Sequence, residues 1–273
     1  MLSYSKEKLL FLLLASYLTA THSQIEVSDR IGYGSNAVEE NLSNIVRITV
    51  GQGSCSGTII GTRTVLTAAH CIDENSKQYV QHSTRDGPYW STAKADKIPA
   101  SCGIKRGVVG GVDSDLGLLY TDIDLYKDSA YSKPFLRSPR SLGANYNFKT
   151  LGYGIDQNQR LPAYLQEANQ TTTLVDQYNT RTTFPTTNSP KVCPGDSGSA
   201  NWVFDGGEWK IISITSSGDG RDCAKARFSN HKLLAPHISW IGQNIDKSPC
   251  EFFNTKDVKI TCGLPYANSP SLE

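Results

Sequence analysis

The chain has 273 residues and a nearly balanced charge, with 27 basic and 26 acidic side chains and a net charge of +1. Because the charges cancel and no block of like charge occurs, we expect neither a nucleic acid nor a membrane surface as a partner. The length suits one large all-β domain or two small barrels that share an interface.

The first residues have the features of an export signal. Lys6 and Lys8 precede a run of apolar residues, 9–15, that is far shorter than the roughly 20 residues of a membrane-spanning helix. We therefore expect residues 1–23 to be a signal peptide and the mature protein to be secreted, in an extracellular or periplasmic space. In such an oxidising compartment the seven cysteines are expected to pair, with one left over.

Short β-branched runs follow the leader. Segments 44–50, 54–60 and 64–67 are separated by glycine-containing turns and show little helical periodicity. This pattern is typical of an all-β barrel or sandwich. Cys55 lies in the second segment and Cys71 follows the third, so the two could pair across the hairpin.

A tight bend at 192–198, Val-Cys-Pro-Gly-Asp-Ser-Gly, holds a candidate nucleophile, Ser197. A serine hydroxyl attacks a carbonyl only beside a general base and where donors await the developing oxyanion. Gly195 can adopt φ > 0 and turn its N–H toward the same point as the N–H of Ser197, which would make an oxyanion hole. The same residue types also form ordinary surface turns.

The bend needs a base and an orienting carboxylate, and the chain offers both. His70 follows the third strand, although a single histidine is more often structural. Asp115 opens an apolar run, so its carboxylate could be desolvated beside the imidazole and fix the tautomer. Asp113, Asp122 and Asp124 lie among polar residues and are more typical of turn caps.

These three motifs together resemble those of the trypsin/chymotrypsin-like serine proteases. The segments are Leu-Thr-Ala-Ala-His-Cys at 66–71, Asp-Leu-Gly-Leu-Leu at 115–119 and Gly-Asp-Ser-Gly at 195–198, in the family's order of His, Asp and Ser. Further similar stretches are spread along the chain, at 150–154, 161–162, 165–166, 209–218 and 236–245.

The resemblance implies two six-stranded antiparallel β-barrels with a C-terminal helix. The implied segments are a propeptide at 24–30, a peptidase domain at 31–245 with barrels at roughly 31–135 and 136–235 and a helix at 236–245, and a Cys-containing extension at 246–273.

The resemblance also implies a zymogen. Cleavage after Arg30 by an activating protease would free the amino group of Ile31, which would pair with Asp196 and order the bend. The new terminus differs from the family's usual Ile-Val-Gly-Gly, because Gly32 and Tyr33 occupy its second and third places.

The substrate pocket implied by the resemblance has an unusual base. Lys191 stands where a protease that cleaves after Lys or Arg has an aspartate, so we do not expect that specificity. Ser216 and Gly218 match the substrate-binding strand and pocket wall, and Ala226 matches a small residue deep in the pocket.

Two roles are open for Lys191. It could select an acidic residue on the acyl side of the scissile bond. Alternatively, Asp219 or Asp222 could neutralise it and leave specificity to the shape of the pocket.

The resemblance implies a disulfide between Cys193 and Cys223 across this pocket. In the extension we favour a bridge between Cys250 and Cys262, with a bridge from either one to Cys102 as the alternative. No Cys/His spacing resembles a zinc site, and no metal or cofactor is expected. Asn41 and Asn169 begin glycosylation sequons.

The sequence therefore predicts a secreted, monomeric serine endopeptidase that acts on protein or peptide substrates through an acyl-enzyme. The alternative is a non-catalytic binding or adhesion protein built on a protease fold, since a fold alone does not fix function. A fluorophosphonate probe separates the two, because it labels only an activated serine.

Overall fold

The computed structural model describes residues 31–39, 42–73, 75–125, 135–136, 144–220, 222–246 and 258–262. The predicted signal peptide and propeptide, with Arg30, lie outside these residues. The strands are β1 (Ser35–Asn36), β2 (Ile45–Val50), β3 (Gly53–Ile59), β4 (Thr64–Ala68), β5 (Gln78–His82), β6 (Thr84–Asp86), β7 (Tyr89–Ser91), β8 (Ile98–Pro99), β9 (Cys102–Val109), β10 (Val112–Tyr120), β11 (Phe135–Leu136), β12 (Asn147–Gly152), β13 (Gln166–Thr171), β14 (Leu174–Val175), β15 (Asn179–Thr183), β16 (Ala200–Asp205), β17 (Glu208–Gly218), β18 (Phe228–Leu233) and β19 (Val258–Cys262).

Helical structure is sparse in the described residues. The α-helix α1 (Ile238–Asn244) follows a 3₁₀ turn at Ala235–His237, and two other 3₁₀ turns lie at Ala69–Cys71 and Cys223–Lys225. In this part of the chain, no helix has the length and apolar character needed to cross a membrane.

The strands form two large curled sheets and a small hairpin. The first sheet has the order β19-β9-β10-β4-β3-β2-β5-β8, and the second has the order β1-β13-β12-β16-β17-β18-β15-β14, with β11 beside β17. The hairpin is β6-β7. The predicted all-β, chymotrypsin-like fold is confirmed. The sheets have eight and nine strands rather than six each, because short edge strands and β19 join them.

One apolar core joins the two sheets. It includes Leu66 and Leu118 of the first sheet, Leu151 and Ile214 of the second, and Trp240 of α1. Because protein interiors are close-packed and resist deformation, side chains from the two sheets that meet at this interface are held in fixed relative positions.

The predicted disulfide between Cys55 and Cys71 is confirmed. It joins residues 16 apart in sequence, with 6.1 Å between their Cα atoms, and links β3 to the 3₁₀ turn after β4. Closing a loop of this length stabilises the fold by about 3 kcal/mol in the chain-entropy account. The bridge therefore fixes the turn on which His70 lies.

The C-terminal strand β19 extends the first sheet at the edge formed by β9. Its antiparallel register places the backbone of Cys262 directly opposite that of Cys102, which is buried. Cys250 and the side chain of Cys262 lie outside the described residues. Directly opposed residues of antiparallel strands have Cα atoms about 4.5–5.5 Å apart, which is within the range that a disulfide spans.

This register leads us to expect a bridge between Cys102 and Cys262, the alternative to the one favoured from sequence. Peptide mapping of the non-reduced protein by mass spectrometry should recover a linked pair of peptides that contain these two cysteines. A linked pair containing Cys250 and Cys262 would contradict this expectation.

Candidate active site

His70 lies on the short 3₁₀ turn that follows β4. The N–H of Ile72 donates to the carbonyl oxygen of Ala69 at 3.1 Å, and the Cys55–Cys71 bridge holds the turn from its other end. The His70 side chain is 47% exposed, and its backbone N–H donates to Asp115 Oδ1 at 3.1 Å. The turn thus places the imidazole at the surface while one edge faces Asp115.

Asp115 is the carboxylate that contacts His70. Both of its oxygens lie 3.0 Å from His70 Nδ1, so in the tautomer with the proton on Nδ1 this nitrogen donates to the carboxylate. Asp115 has φ of 40° at an irregularity of β10, and its N–H donates to Asp113 Oδ1 at 3.0 Å. Asp113 therefore supports the backbone of Asp115 and is not the partner of His70.

The other two candidate carboxylates are used elsewhere. Asp122 Oδ1 accepts hydrogen bonds from the N–H and the hydroxyl of Ser101, at 3.0 and 2.5 Å. Asp124 pairs with Arg63 at 2.6 Å on the surface.

Ser216 is a further partner of Asp115. Its hydroxyl donates to Asp115 Oδ2 at 2.5 Å. From sequence, Ser216 was placed only along the predicted substrate-binding strand. Its contact with Asp115 spans the two sheets and has no signature in local spacing. Ser216 and His70 together hold both carboxylate oxygens of Asp115.

The hydrogen bonds between these groups oppose the effect of burial. The hydrogen bond with Asp115 raises the pKa of His70 above its usual value, although burial acts in the other direction. Burial alone would raise the pKa of Asp115, but the hydrogen bonds from His70 and Ser216 and the charge of His70 outweigh it and keep that pKa low. Asp115 is thus ionised while His70 titrates.

The bend that holds Ser197 is sharply turned. Gly195 has φ of +98°, and a Cβ there would lie 2.9 Å from the Cα of Gly154. The N–H of Asp196 donates to the carbonyl oxygen of Cys193 at 3.0 Å and closes the turn. Within the described residues, neither the N–H of Gly195 nor that of Ser197 donates a hydrogen bond, so both are available to a ligand.

Ser197 lies beside the turn that bears His70. The Ser197 carbonyl oxygen is 3.6 Å from Cys71 Sγ and accepts from the N–H of Ser56 at 2.9 Å. No hydrogen bond joins the Ser197 hydroxyl to the His70 ring in the part of the chain that the structure describes. Nucleophile–base contacts of this kind are often long in unliganded proteins and tighten with substrate.

The sulfur atoms of Cys55 and Cys71 lie close to the His70 ring. Ligand atoms of the three residues are all within 4.8 Å of one another, as in a metal site. Both sulfurs are, however, bonded to each other in the disulfide. The cluster therefore lacks the thiolates that a metal would need.

A comparison with known families identifies the family of the chain. A family model described as Trypsin matches residues 31–240, which is more than half of the chain. The chain belongs to the trypsin family. It is thus a trypsin-like serine protease by family. The positions of the other predicted site residues are described next.

The predicted disulfide beside the predicted substrate pocket of this trypsin-family chain is confirmed. Cys193 and Cys223 are bridged, with 5.1 Å between their Cα atoms. Ala226, three residues after Cys223, is buried. Gly218 is exposed at the end of β17.

Lys191, at the predicted pocket base, is buried and held by uncharged groups. Its Nζ donates to the carbonyl oxygen of Ala224 at 2.9 Å and lies 5.8 Å from the centre of the Tyr33 ring. Burial lowers the pKa of Lys191, and the nearby charges of Asp219 and Asp222 partly offset this.

Neither acid makes an ion pair with Lys191 in the described residues. Asp219 pairs with Arg227 at 3.0 Å, and Asp222 pairs with Lys225 at 2.9 Å. Asp219 and Asp222 thus act on Lys191 through their charges and not through an ion pair, and both roles left open from sequence stay predictions.

The residues around the predicted activation site are packed against this pocket. Ile31 is fully buried, and the N–H of Lys191 donates to the carbonyl oxygen of Gly32 at 2.8 Å. A Cβ at Gly32 would lie 2.5 Å from Cys223 Sγ and 2.8 Å from Cys193 Sγ. In this conformation a larger side chain at position 32 would have to displace the disulfide, so Gly32 packs closely against it.

Asp196 is a fully buried carboxylate. Its oxygens accept from the N–H of Gly154 at 2.8 Å and from that of Cys193 at 2.9 Å. Burial raises its pKa to about 7 in spite of these hydrogen bonds. Within the described part of the chain no cation is paired with it, so this group lacks the charge that would stabilise its ionised form.

We therefore expect Asp196 to make the uncleaved chain less stable as pH rises. Its folded pKa of about 7 exceeds the ordinary value of 3.8, so its contribution is favourable at low pH and is lost as pH rises toward 7. Between pH 5 and 8 this loss amounts to about 2–3 kcal/mol. Urea unfolding of the uncleaved protein should show a smaller loss of stability over this range in Asp196→Asn.

The matched control is Asp124→Asn, which changes an exposed surface carboxylate. It should leave the pH dependence of the unfolding free energy as in wild type. An Asp196→Asn variant with the wild-type pH dependence would show that Asp196 is not a buried carboxylate with a raised pKa.

Proposed function

We propose that this trypsin-family protein is a secreted serine endopeptidase, with Ser197 as nucleophile, His70 as general base and Asp115 as the carboxylate that orients the base. The observation that carries the proposal is the position of His70 Nδ1 at 3.0 Å from both oxygens of Asp115. Because Nδ1 is engaged with Asp115, Nε2 is the nitrogen that can accept the proton of the Ser197 hydroxyl.

The proposed reaction is acyl transfer in two halves. Ser197 Oγ attacks the carbonyl carbon of the scissile peptide bond while its proton passes to His70 Nε2, and the N–H groups of Gly195 and Ser197 hold the oxyanion. His70 then gives the proton to the leaving amine, and the acyl-enzyme forms. Water, deprotonated by His70, hydrolyses this ester and restores Ser197.

Activation is proposed to require cleavage after Arg30. The new ammonium group of Ile31 would supply the positive charge that the buried carboxylate of Asp196 lacks. The short distance in sequence from Asp196 to Gly195 and Ser197 would couple this ion pair to the oxyanion hole. Because the pocket base holds Lys191, a second, arginine-cleaving protease is the proposed activator.

The same lysine argues against cleavage after Lys or Arg. A cationic substrate side chain beside a buried ammonium group would meet repulsion of about 4 kcal/mol at 4 Å and an effective dielectric constant near 20. We therefore propose a specificity for uncharged or acidic side chains directly before the scissile bond.

Replacement of the nucleophile tests the proposal. In protein treated with an arginine-cleaving protease, Ser197→Ala should lower turnover of a peptide library by about three or more orders of magnitude, because the acyl-enzyme cannot form. Ser189→Ala, which changes a partly exposed loop residue whose hydrogen bonds are to Thr186, serves as the control and should keep wild-type turnover. Retention of more than about a hundredth of the turnover in Ser197→Ala would refute the assignment.

The pH dependence of turnover tests the base. Activity should rise as His70 loses its proton, and because the contact with Asp115 raises the pKa of His70, the midpoint should lie at or above about 6.5. We expect kcat/KM to follow this single acid limb in wild type and in the surface variant Asp124→Asn. A profile that is flat between pH 5 and 8 would be incompatible with a histidine base.

A further inference from the structure

A polar cavity of about 510 Å³ borders the proposed triad. It is lined by Ser216, whose hydroxyl donates to Asp115, and by the next residue, Ser217. Lys232 lines it as well, and its Nζ donates at 2.7 Å to the carbonyl oxygen of Asp113 on the triad strand β10. The cavity is therefore next to the position at which a substrate would be cut, and it does not include Lys191.

The floor of the cavity is one face of the pair β15 and β18. Side chains alternate along β18, so that Ser229, His231 and Leu233 are buried and the residues between them are partly exposed. Arg181 lies opposite Asn230 in the antiparallel register. The exposed face of this pair thus brings an arginine, a lysine and amide groups together in the cavity.

Positive charge predominates among the lining residues. Arg181 and Lys232 face one carboxylate, Asp176. Asp176 already accepts from the N–H groups of Tyr178 and Asn179, both at 2.7 Å, and from the Asn179 amide. In the described residues neither cation makes an ion pair with a carboxylate, and although the charge of Lys232 acts on Asp176, the two cations outnumber this one acid, so the lining has a net positive charge.

Arg181 is held in a fixed orientation with its outer nitrogens available. Its Nε donates to Asn230 Oδ1 at 2.9 Å, and its Cζ lies 4.3 Å from the centre of the Phe228 ring. Asn230 is held in turn, since its amide donates to the Ser217 hydroxyl at 3.1 Å. Within the described part of the chain the two terminal nitrogens of Arg181 donate no hydrogen bond. A guanidinium fixed in this way matches the two oxygens of a carboxylate.

We propose that Arg181 is a specificity-determining residue that binds an acidic side chain of the peptide substrate, with Lys232 adding to the positive field. The inference rests on the proposed peptidase function, because it names part of the substrate of that site. It differs from any role of Lys191, which lies outside this cavity. The acidic residue would therefore occupy a position other than the one directly before the scissile bond.

Matched peptide pairs test the inference. Each pair differs only by Glu against Gln at the second, third or fourth position before the scissile bond, with all other residues constant. In activated wild-type protein, kcat/KM should favour the Glu peptide by about tenfold at one of these positions. The ratio should fall toward 1 in Arg181→Gln, keep part of its value in Arg181→Lys, and decrease with added NaCl.

Arg85→Gln is the matched control. Arg85 is, like Arg181, a strand arginine above an aromatic ring, 4.8 Å from the centre of Trp90, but it is exposed and belongs to the β6-β7 hairpin. It should keep the full preference for Glu. Fluorophosphonate labelling of each variant reports whether its triad is assembled, so that a misfolded variant is recognised.

Three outcomes would overturn the inference, and they are distinguishable. Equal cleavage of Glu and Gln peptides at all three positions in wild type would refute this substrate preference while leaving the peptidase function intact. A preference that survives in Arg181→Gln would refute the role of Arg181. Absence of both cleavage and labelling in wild type would refute the peptidase function itself, and the inference with it.

Discussion

The geometry of the site depends on Ser56, a fully buried residue of β3 that ties the nucleophile bend to both sheets. Its N–H donates to the carbonyl oxygen of Ser197 and its hydroxyl donates to that of Gly195, each at 2.9 Å. The same hydroxyl accepts from the N–H of Tyr153, at 2.9 Å, after β12. These contacts fix the backbone on both sides of Asp196, while the N–H groups of Gly195 and Ser197, which we propose as the oxyanion hole, donate to no other group in the described residues. Pre-orientation of this kind is what makes an oxyanion hole effective.

Charged side chains with little access to solvent are the second constraint on this molecule, and each is stabilised by a different set of groups. Asp115 is stabilised in its ionised form by the hydrogen bonds of His70 and Ser216. Lys191 has a backbone carbonyl and an aromatic ring as partners. Asp196 accepts from two N–H groups and, in the described residues, is paired with no cation. Because an uncompensated buried carboxylate is costly, the region around Asp196 is the part of the site where a new positive charge would have the largest effect.

Residues that lie in short sequence motifs could be singled out from the sequence. Contacts that depend on packing between the two sheets could not. His70, Ser197 and the choice of Asp115 over Asp113 followed from neighbouring residue types, and so did the bridge between Cys55 and Cys71. The contacts of Ser56 and Ser216 with the bend and with Asp115 span more than 100 residues, so no local pattern could show them. The register of β19 with β9, and hence the place of Cys262 opposite Cys102, also depends on long-range pairing that spacing does not encode.

The most direct test of the account is the site of covalent labelling by a fluorophosphonate. Phosphonylation requires a serine that a base deprotonates and an oxyanion hole that accepts the phosphoryl oxygen, so it reports the assembled site without reference to any substrate. After treatment with an arginine-cleaving protease, mass spectrometry of the digested protein should find one label, on Ser197, and denaturation of the protein beforehand should abolish it. Absence of label, or label on a different serine, would contradict the assignment of this site.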